Sequence, residues 1–185
     1  MTDDLATRER TKYETMWRIP AYRNYSPAER SLVDVLRLLA LPLGARLIDF
    51  GCGTGRATAT LQSLGYAVTG VDFADNCLDP DVSIPFVRAN LWDLPEMSAD
   101  GGLCCDVMEH IPTDQVDRVL ANIARAVPKC VFTIAFHPDN FGRVIGEKLH
   151  LTVQNENWWT ERLLKAWPCV SDHGNGLFLV GHRHD

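Results

Sequence analysis

The 185-residue sequence is short of several things, and each shortage narrows what the chain can be. It has no unbroken apolar run near the roughly 18 to 20 residues that a membrane-spanning helix needs, so no bilayer segment and no membrane partner are expected. It has no excess of positive charge: 18 Lys and Arg stand against 24 Asp and Glu, a formal net charge of -6. That balance opposes broad electrostatic affinity for phosphate backbones, so nucleic acid is a disfavoured substrate. It has no Cys-x-x-Cys spacing. The six cysteines, at 52, 77, 104, 105, 130 and 169, fall mostly in strand-like or turn-like segments and read as reduced thiols that pack as small hydrophobes. Met1-Thr2-Asp3-Asp4 and the mixed charges through Lys12 lack the basic start and apolar run of a secretory signal, from which a cytoplasmic location is expected.

What is present reads as one globular domain over residues 1–185, since the length serves one good core and is too short for two. Residues 7–25 carry Tyr13, Met16, Trp17, Ile19, Tyr22 and Tyr25 at roughly helical spacing, broken by Pro20, and predict a short helix and a turn. Ser26, Pro27 and Glu29 then supply an N-cap, a first-turn proline and a capping-box acid for a helix through about Ala40, with Leu32, Val35, Leu36 and Leu39 on one stripe. From there strand-like and helical runs alternate: Arg46–Phe50, Arg56–Leu64, Ala67–Asp72, a short turn of helix, Ile84–Arg88, Gly102–Cys105, Asp114–Val127 and Cys130–Phe136. Each crossover must return the chain to the same end of a parallel sheet, so the expected fold is α/β and doubly wound. After Phe136 a loop runs to about Asn157. A helix with Trp158, Leu163, Leu164 and Trp167 follows, then two strand-like pieces around Asp172–Gly176 that read as an antiparallel hairpin. The expected whole is a mostly parallel seven-stranded sheet with a C-terminal hairpin. Residues 1–43 form a helical extension, 44–136 a cofactor-binding core and 137–185 a substrate side.

The first strand runs straight into Gly51-x-Gly53-x-Gly55 and then a helix. Glycines at such a turn let the backbone bend sharply and let a ligand approach closer than any Cβ would permit. Asp72, at the end of the second strand, is placed to accept hydrogen bonds from both ribose hydroxyls of a nucleoside ligand. A dinucleotide loop would carry Gly or Ala where Arg56 stands, and Asp49 beside the loop would repel a pyrophosphate. Negative charge there suits a cationic ligand such as S-adenosylmethionine.

Leu47-Ile48-Asp49-Phe50-Gly51-Cys52-Gly53-Thr54-Gly55 resembles the first motif of class I methyltransferases. Val71-Asp72-Phe73 is similar to the family's second motif and Ala89-Asn90-Leu91-Trp92-Asp93-Leu94-Pro95 to its third. Asp106-Val107-Met108-Glu109-His110-Ile111-Pro112 resembles the Glu-His segment after the fourth strand. The resemblance covers residues 45 to 136 and implies that S-adenosylmethionine is bound by Asp49, Gly51, Cys52, Gly53, Gly55, Asp72, Phe73, Asn90, Leu91, Trp92 and Cys105. Asn90 stands where the family usually has Asp contacting the adenine amino group; its side-chain carbonyl could accept the same bond. No bound metal is expected.

Glu109 and His110 are read equally as loop-orienting or functional residues. Asp106, at the carboxyl end of the fourth strand, lies where open sheets place ligands. A base for a hydroxyl acceptor is sought outside the cofactor motifs, in His150, which lies in a long irregular segment, or in His137. Trp158 and Trp159 read as part core and part pocket wall. Tyr13, Trp17, Tyr22 and Arg23 read either as a cover over the cofactor or as packing on the sheet edge. The chain lacks the Asn/Asp-Pro-Pro-aromatic motif of enzymes that methylate base amino groups. The expected function is O-methylation of a small polar acceptor, a saccharide or metabolite. N-methylation of a small molecule or protein, or a cofactor-binding subunit without catalysis, are the alternatives.

Overall fold

A computed structural model describes residues 2–182. Seven strands form one sheet: β1 (Arg46–Phe50), β2 (Ala67–Asp72), β3 (Phe86–Arg88), β4 (Gly101–Cys105), β5 (Lys129–Thr133), β6 (Cys169–Asp172) and β7 (Leu177–Gly181). Their order is β3-β2-β1-β4-β5-β7-β6. The first five are parallel, and β7 enters antiparallel between β5 and β6. The doubly wound architecture expected of the sequence is the one observed.

Because side chains alternate across a strand, the apolar strands feed two cores. Leu47, Val68, Leu103 and Val131 point to one face and pack with Val35, Leu39 and Leu61 of α3 (Pro27–Leu39) and α4 (Arg56–Ser63). Ile48, Phe50, Cys104 and Phe132 point to the other. They meet Leu120 and Ile123 of α5 (Val116–Ala126) and Trp159 and Leu163 of α6 (Glu156–Ala166). Strand order reverses between β1 and β4, so the carboxyl ends of β1, β2 and β4 open a crevice at one edge, the place where α/β sheets bind ligands. All six cysteines are free thiols. No helix among the described residues is long and apolar enough to cross a membrane.

Several boundaries differ from expectation, each for a local reason. The leader is a 15-residue helix, α1 (Thr2–Met16), and Pro20 opens a separate one-turn α2 (Pro20–Arg23) instead of breaking one helix. No helix forms between β2 and β3. There the carbonyls of Asn76, Cys77 and Leu78 bond the Arg23 guanidinium in place of helical N–H groups. β3 starts only at Phe86, because Pro85 has no N–H to give and offers just its carbonyl to Gly70. β5 stops at Thr133, where its partner β7 turns away. The hairpin strands lie on either side of Asp172–Gly176, which is mostly the turn itself.

That turn contains a sharp stereochemical demand. Gly174, Asn175 and Gly176 all have positive φ, and the Gly176 carbonyl accepts the Ile134 N–H as the chain leaves β5. A Cβ on Gly176 would run into the Ile134 carbonyl, whereas one on Gly174 would meet open space. Chemical denaturation should therefore show Gly174→Ala costing about 1 kcal/mol and Gly176→Ala more than about 3 kcal/mol. Equal losses would contradict this docking of the turn.

Candidate functional site

The crevice holds a cavity of about 400 Å³, within the range of small-molecule sites. Its floor is the loop after β1. The Val71 carbonyl at the end of β2 accepts both the Gly51 N–H (2.7 Å) and the Cys52 N–H (3.0 Å), which pulls the loop across the sheet edge. Gly51 and Gly53 have φ of 76° and 51°, and Cβ atoms there would strike Val107 and Trp17. Only glycine satisfies both the conformation and the space.

Asp72 completes the loop's support. Its Oδ2 accepts the Gly53 N–H at 3.1 Å and its Oδ1 the Ala74 N–H at 3.0 Å. Burial raises its carboxyl above the usual range, opposed by these backbone donors. Asp72, Phe73, Gly51, Cys52 and Gly53 all line the cavity, as do Asn90, Leu91, Trp92 and Cys105. Asn90 adds to the sequence reading. Its Oδ1 accepts the Trp92 N–H at 3.2 Å, while its buried Nδ2 has no partner. A buried donor left unpaired is costly. The unpaired group at this position is thus a donor suited to a ring nitrogen, while the carbonyl, holding one N–H, keeps a second lone pair for the amino group expected there.

Two members of the motif do not reach the cavity wall. Gly55, at φ 75°, is crowded by Leu78, Val82 and Ile84 and shapes the start of α4. Asp49 is buried within β1, its Oδ2 accepting the Thr58 hydroxyl at 2.7 Å. Burial raises its carboxyl from 3.8 to about 7, with the Thr58 bond opposing and Asp72 adding to the rise. At neutral pH it is not the full negative charge that the sequence argument assigned to it.

The remaining wall is built from residues far apart in sequence. Asp106 follows β4 in a left-handed conformation (φ 52°), strained for a residue with a Cβ. Its Oδ1 accepts the Thr133 hydroxyl at 3.0 Å and its Oδ2 the Tyr25 hydroxyl at 3.4 Å. Burial raises its carboxyl too, opposed by those two bonds. The Glu109 carbonyl accepts the N–H groups of Leu151 and Thr152, and the Thr152 hydroxyl donates to the Ile111 carbonyl. This docking brings His150 edge-on against His110, with ring centroids 4.8 Å apart, and His137 lies 5.8 Å from His150. All three histidines line the cavity with Asp106. His110 is the residue that sequence reasoning left undecided. Burial lowers its imidazole from 6.5 to about 3, so it is neutral. Its Nδ1 is 2.7 Å from the Tyr13 hydroxyl, a contact across 97 residues with no local sequence signal.

Tyr13, Trp17 and Tyr22 of the leader line the cavity beside Phe73 and Phe141. Arg23 stays outside it, bonding the Trp17 carbonyl and Asp79 and so tying the leader to the segment after β2. Trp158 and Trp159 are also outside. Trp159 is fully buried in the α5–α6 core, and Trp158 stacks under Arg162 at 3.5 Å. Neither is pocket wall.

Residues 48–130 match a family model described as a methyltransferase domain. Among curated proteins, the chain is 30% identical over 82 residues to a ubiquinone biosynthesis O-methyltransferase of Xanthomonas axonopodis pv. citri, covering 38% of this chain and 34% of that protein. It is also 30% identical over 115 residues to one of Hahella chejuensis, covering 55% and 48%. The chain thus spans between a third and a half of the length of these relatives. A solved structure of the Burkholderia thailandensis 1,6-didemethyltoxoflavin-N1-methyltransferase superimposes over 96% of this chain and 87% of its own, with a TM-score of 0.70 at 22% identity, a likeness of fold. Over residues 48–130 the chain is thus similar to methyltransferase domains, and it shares the fold of the Burkholderia thailandensis enzyme.

The state of Asp49 gives a measurable pH dependence. A carboxyl with a folded pKa near 7 and an unfolded one near 3.8 binds its proton more tightly when folded. Its contribution to stability is therefore full at low pH and lost as pH rises towards 7, with a slope of up to about 1.4 kcal/mol per pH unit. The unfolding free energy of the wild type, minus that of Asp49→Asn, should fall between about pH 4 and 7 and then level off. A flat difference would show that Asp49 is ionised in the folded chain.

Proposed function

We propose that the chain transfers a methyl group from S-adenosylmethionine to an oxygen of a small polar acceptor, a saccharide or other metabolite. Asp72 receives the ribose hydroxyls, and Gly51 and Gly53 allow the backbone to approach the ligand. The free Asn90 Nδ2 donates to a ring nitrogen of adenine, while Leu91, Trp92, Phe73, Cys52 and Cys105 enclose the nucleoside. Gly55 and Asp49 act one layer behind, shaping the loop. When bound, S-adenosylmethionine supplies a methyl group made electrophilic by its sulfonium.

What remains for the protein is to hold an acceptor oxygen in line and take its proton. The observation that carries the reading is Asp106, a carboxylate held in strained backbone on the same cavity as Asp72. Its raised pKa makes it a stronger base than an ordinary aspartate. His137 stands beside it as a second proton acceptor, and His150, whose Nδ1 faces the His137 carbonyl at 2.6 Å, positions that segment. The oxygen acceptor is also supported by the O-methyltransferase relatives.

Calorimetry with S-adenosylmethionine should show binding that weakens on the order of 100-fold in Asp72→Ala, which loses two bonds to a charged acceptor. Unaltered affinity would place the ribose elsewhere. In a screen of hydroxyl and amine acceptors read by S-adenosylhomocysteine release, a hydroxyl compound should turn over. With that compound Asp106→Asn should lower kcat about 10² to 10⁴-fold at unchanged cofactor affinity. Turnover of an amine that is indifferent to Asp106→Asn would instead establish N-methylation, and cofactor binding without turnover of any acceptor a non-catalytic subunit.

A further inference from the structure

Glu109, His110 and His150 each present one ligand-capable atom within 4.8 Å of the other two. What sets this cluster apart is the state of its individual atoms. The His150 Nδ1 lies 2.6 Å from the His137 carbonyl, and the His110 Nδ1 lies 3.1 Å from the Leu149 carbonyl. A carbonyl only accepts, so His150 carries its proton on Nδ1 and presents a bare Nε2 lone pair; the His110 Nδ1, which also lies 2.7 Å from the Tyr13 hydroxyl, takes the same tautomer when that hydroxyl donates to the Leu149 carbonyl at 3.4 Å. Backbone carbonyls on the far ring nitrogen are the usual orienting partners of metal-ligating histidines. Glu109 is fully buried; its Oε1 accepts the Ala135 N–H at 3.2 Å, and its Oε2 has no partner at all. An orphaned carboxylate oxygen beside two imidazole lone pairs is unsatisfied in the same direction three times over. A proton on Glu109 would bridge it to one imidazole and leave the other bare, whereas a cation meets all three at once.

We propose that Glu109, His110 and His150 form a site for a divalent first-row transition metal, with its open coordination positions towards the cavity for an oxygen of the methyl acceptor. Two imidazoles and a carboxylate are a nitrogen and oxygen set that suits Zn²⁺, Mn²⁺, Co²⁺ or Fe²⁺. Three protein ligands leave at least one position free, the arrangement of catalytic rather than structural metal sites. Donors around a tetrahedral ion with bonds of about 2.0 to 2.1 Å stand roughly 3.3 Å apart, so the cluster needs only a modest contraction. His150, half-buried, is carried on the segment that Asp139 holds through the Gly142 and Leu149 N–H groups. His110 and His150 line the cavity, which puts the open position on the acceptor side. The acceptor's role rests on the methyl-transfer reading above; the metal site itself does not.

The test is a Co²⁺ titration of the metal-free chain without S-adenosylmethionine, followed by visible absorption. One equivalent should bind with the ligand-field bands of a four- or five-coordinate nitrogen and oxygen site. Glu109→Gln and His150→Ala should each weaken binding at least about 10-fold, while His173→Ala, in the β6–β7 turn, should bind as the wild type does. Absence of ligand-field bands in the wild type would overturn the site whatever the variants do. Bands unaltered in both Glu109→Gln and His150→Ala would also overturn it by locating the ion elsewhere. Circular dichroism of the two variants separates loss of a ligand from loss of the fold. S-adenosylmethionine calorimetry on the metal-free chain tests the cofactor reading separately, so either can fail alone. An acceptor that turns over equally with and without a chelator in the assay would overturn the ion's contact with the acceptor oxygen.

Discussion

The cavity depends on the way the end of β2 holds the loop that follows β1. One carbonyl, Val71, takes the N–H groups of Gly51 and Cys52, and one carboxylate, Asp72, takes that of Gly53. A chain leaving β1 would otherwise continue outwards from the sheet. Tied in this way, it crosses the carboxyl edge of two strands, and the tethers at Gly51 and Gly53 require φ and space that only glycine supplies. The acid that supports the loop also faces the cavity, so the same side chain shapes both.

Around that fixed floor, burial decides the electrostatics. Asp49, Asp72, Asp106 and Glu109 all lie at or behind the crevice, and desolvation raises each carboxyl. The same desolvation keeps His110 neutral. Four acids grouped at one buried crevice are an expensive arrangement in a folded chain when ionised. A sulfonium ligand in the cavity and a divalent ion on the Glu109, His110 and His150 cluster would each repay part of that cost. The site is in this sense built for positive charge, though by the acids acting together and not by Asp49 alone.

Much of the cofactor side was legible in the sequence, because its information is local. A strand, a glycine turn and a helix follow one another within ten residues, and Asp72 ends the next strand. Period-two and helical patterns gave the alternation of strands and helices and with it the doubly wound class, while the order of the strands and the reversal that opens the crevice came from the structure. What was not legible depends on contacts between distant segments. The Tyr13–His110 bond and the docking of 149–152 on 109–111 bring together pieces separated by 97 and about 40 residues. Nothing in the spacing of Glu109 or His110 announces that His150 will lie against them. For Trp158 and Trp159 the core half of the reading agrees with the structure and the pocket-wall half does not, since only the packing of α6 on α5 shows which way their helix faces. Asp49 lies in the first strand as read, but its protonation was not legible, since sequence shows a carboxyl and not its desolvation.

The central claim is that this edge of the sheet is an adenosyl site with an acceptor chamber beside it, lined by Asp106 and the histidines. A crystal structure with S-adenosylhomocysteine tests it most directly. The account predicts the ribose hydroxyls on the Asp72 carboxylate, the Asn90 Nδ2 on a ring nitrogen of adenine, and the sulfur pointing to the chamber between Asp106 and His150. A ligand bound away from Asp72, or one whose sulfur points away from Asp106 and the histidines, would contradict it.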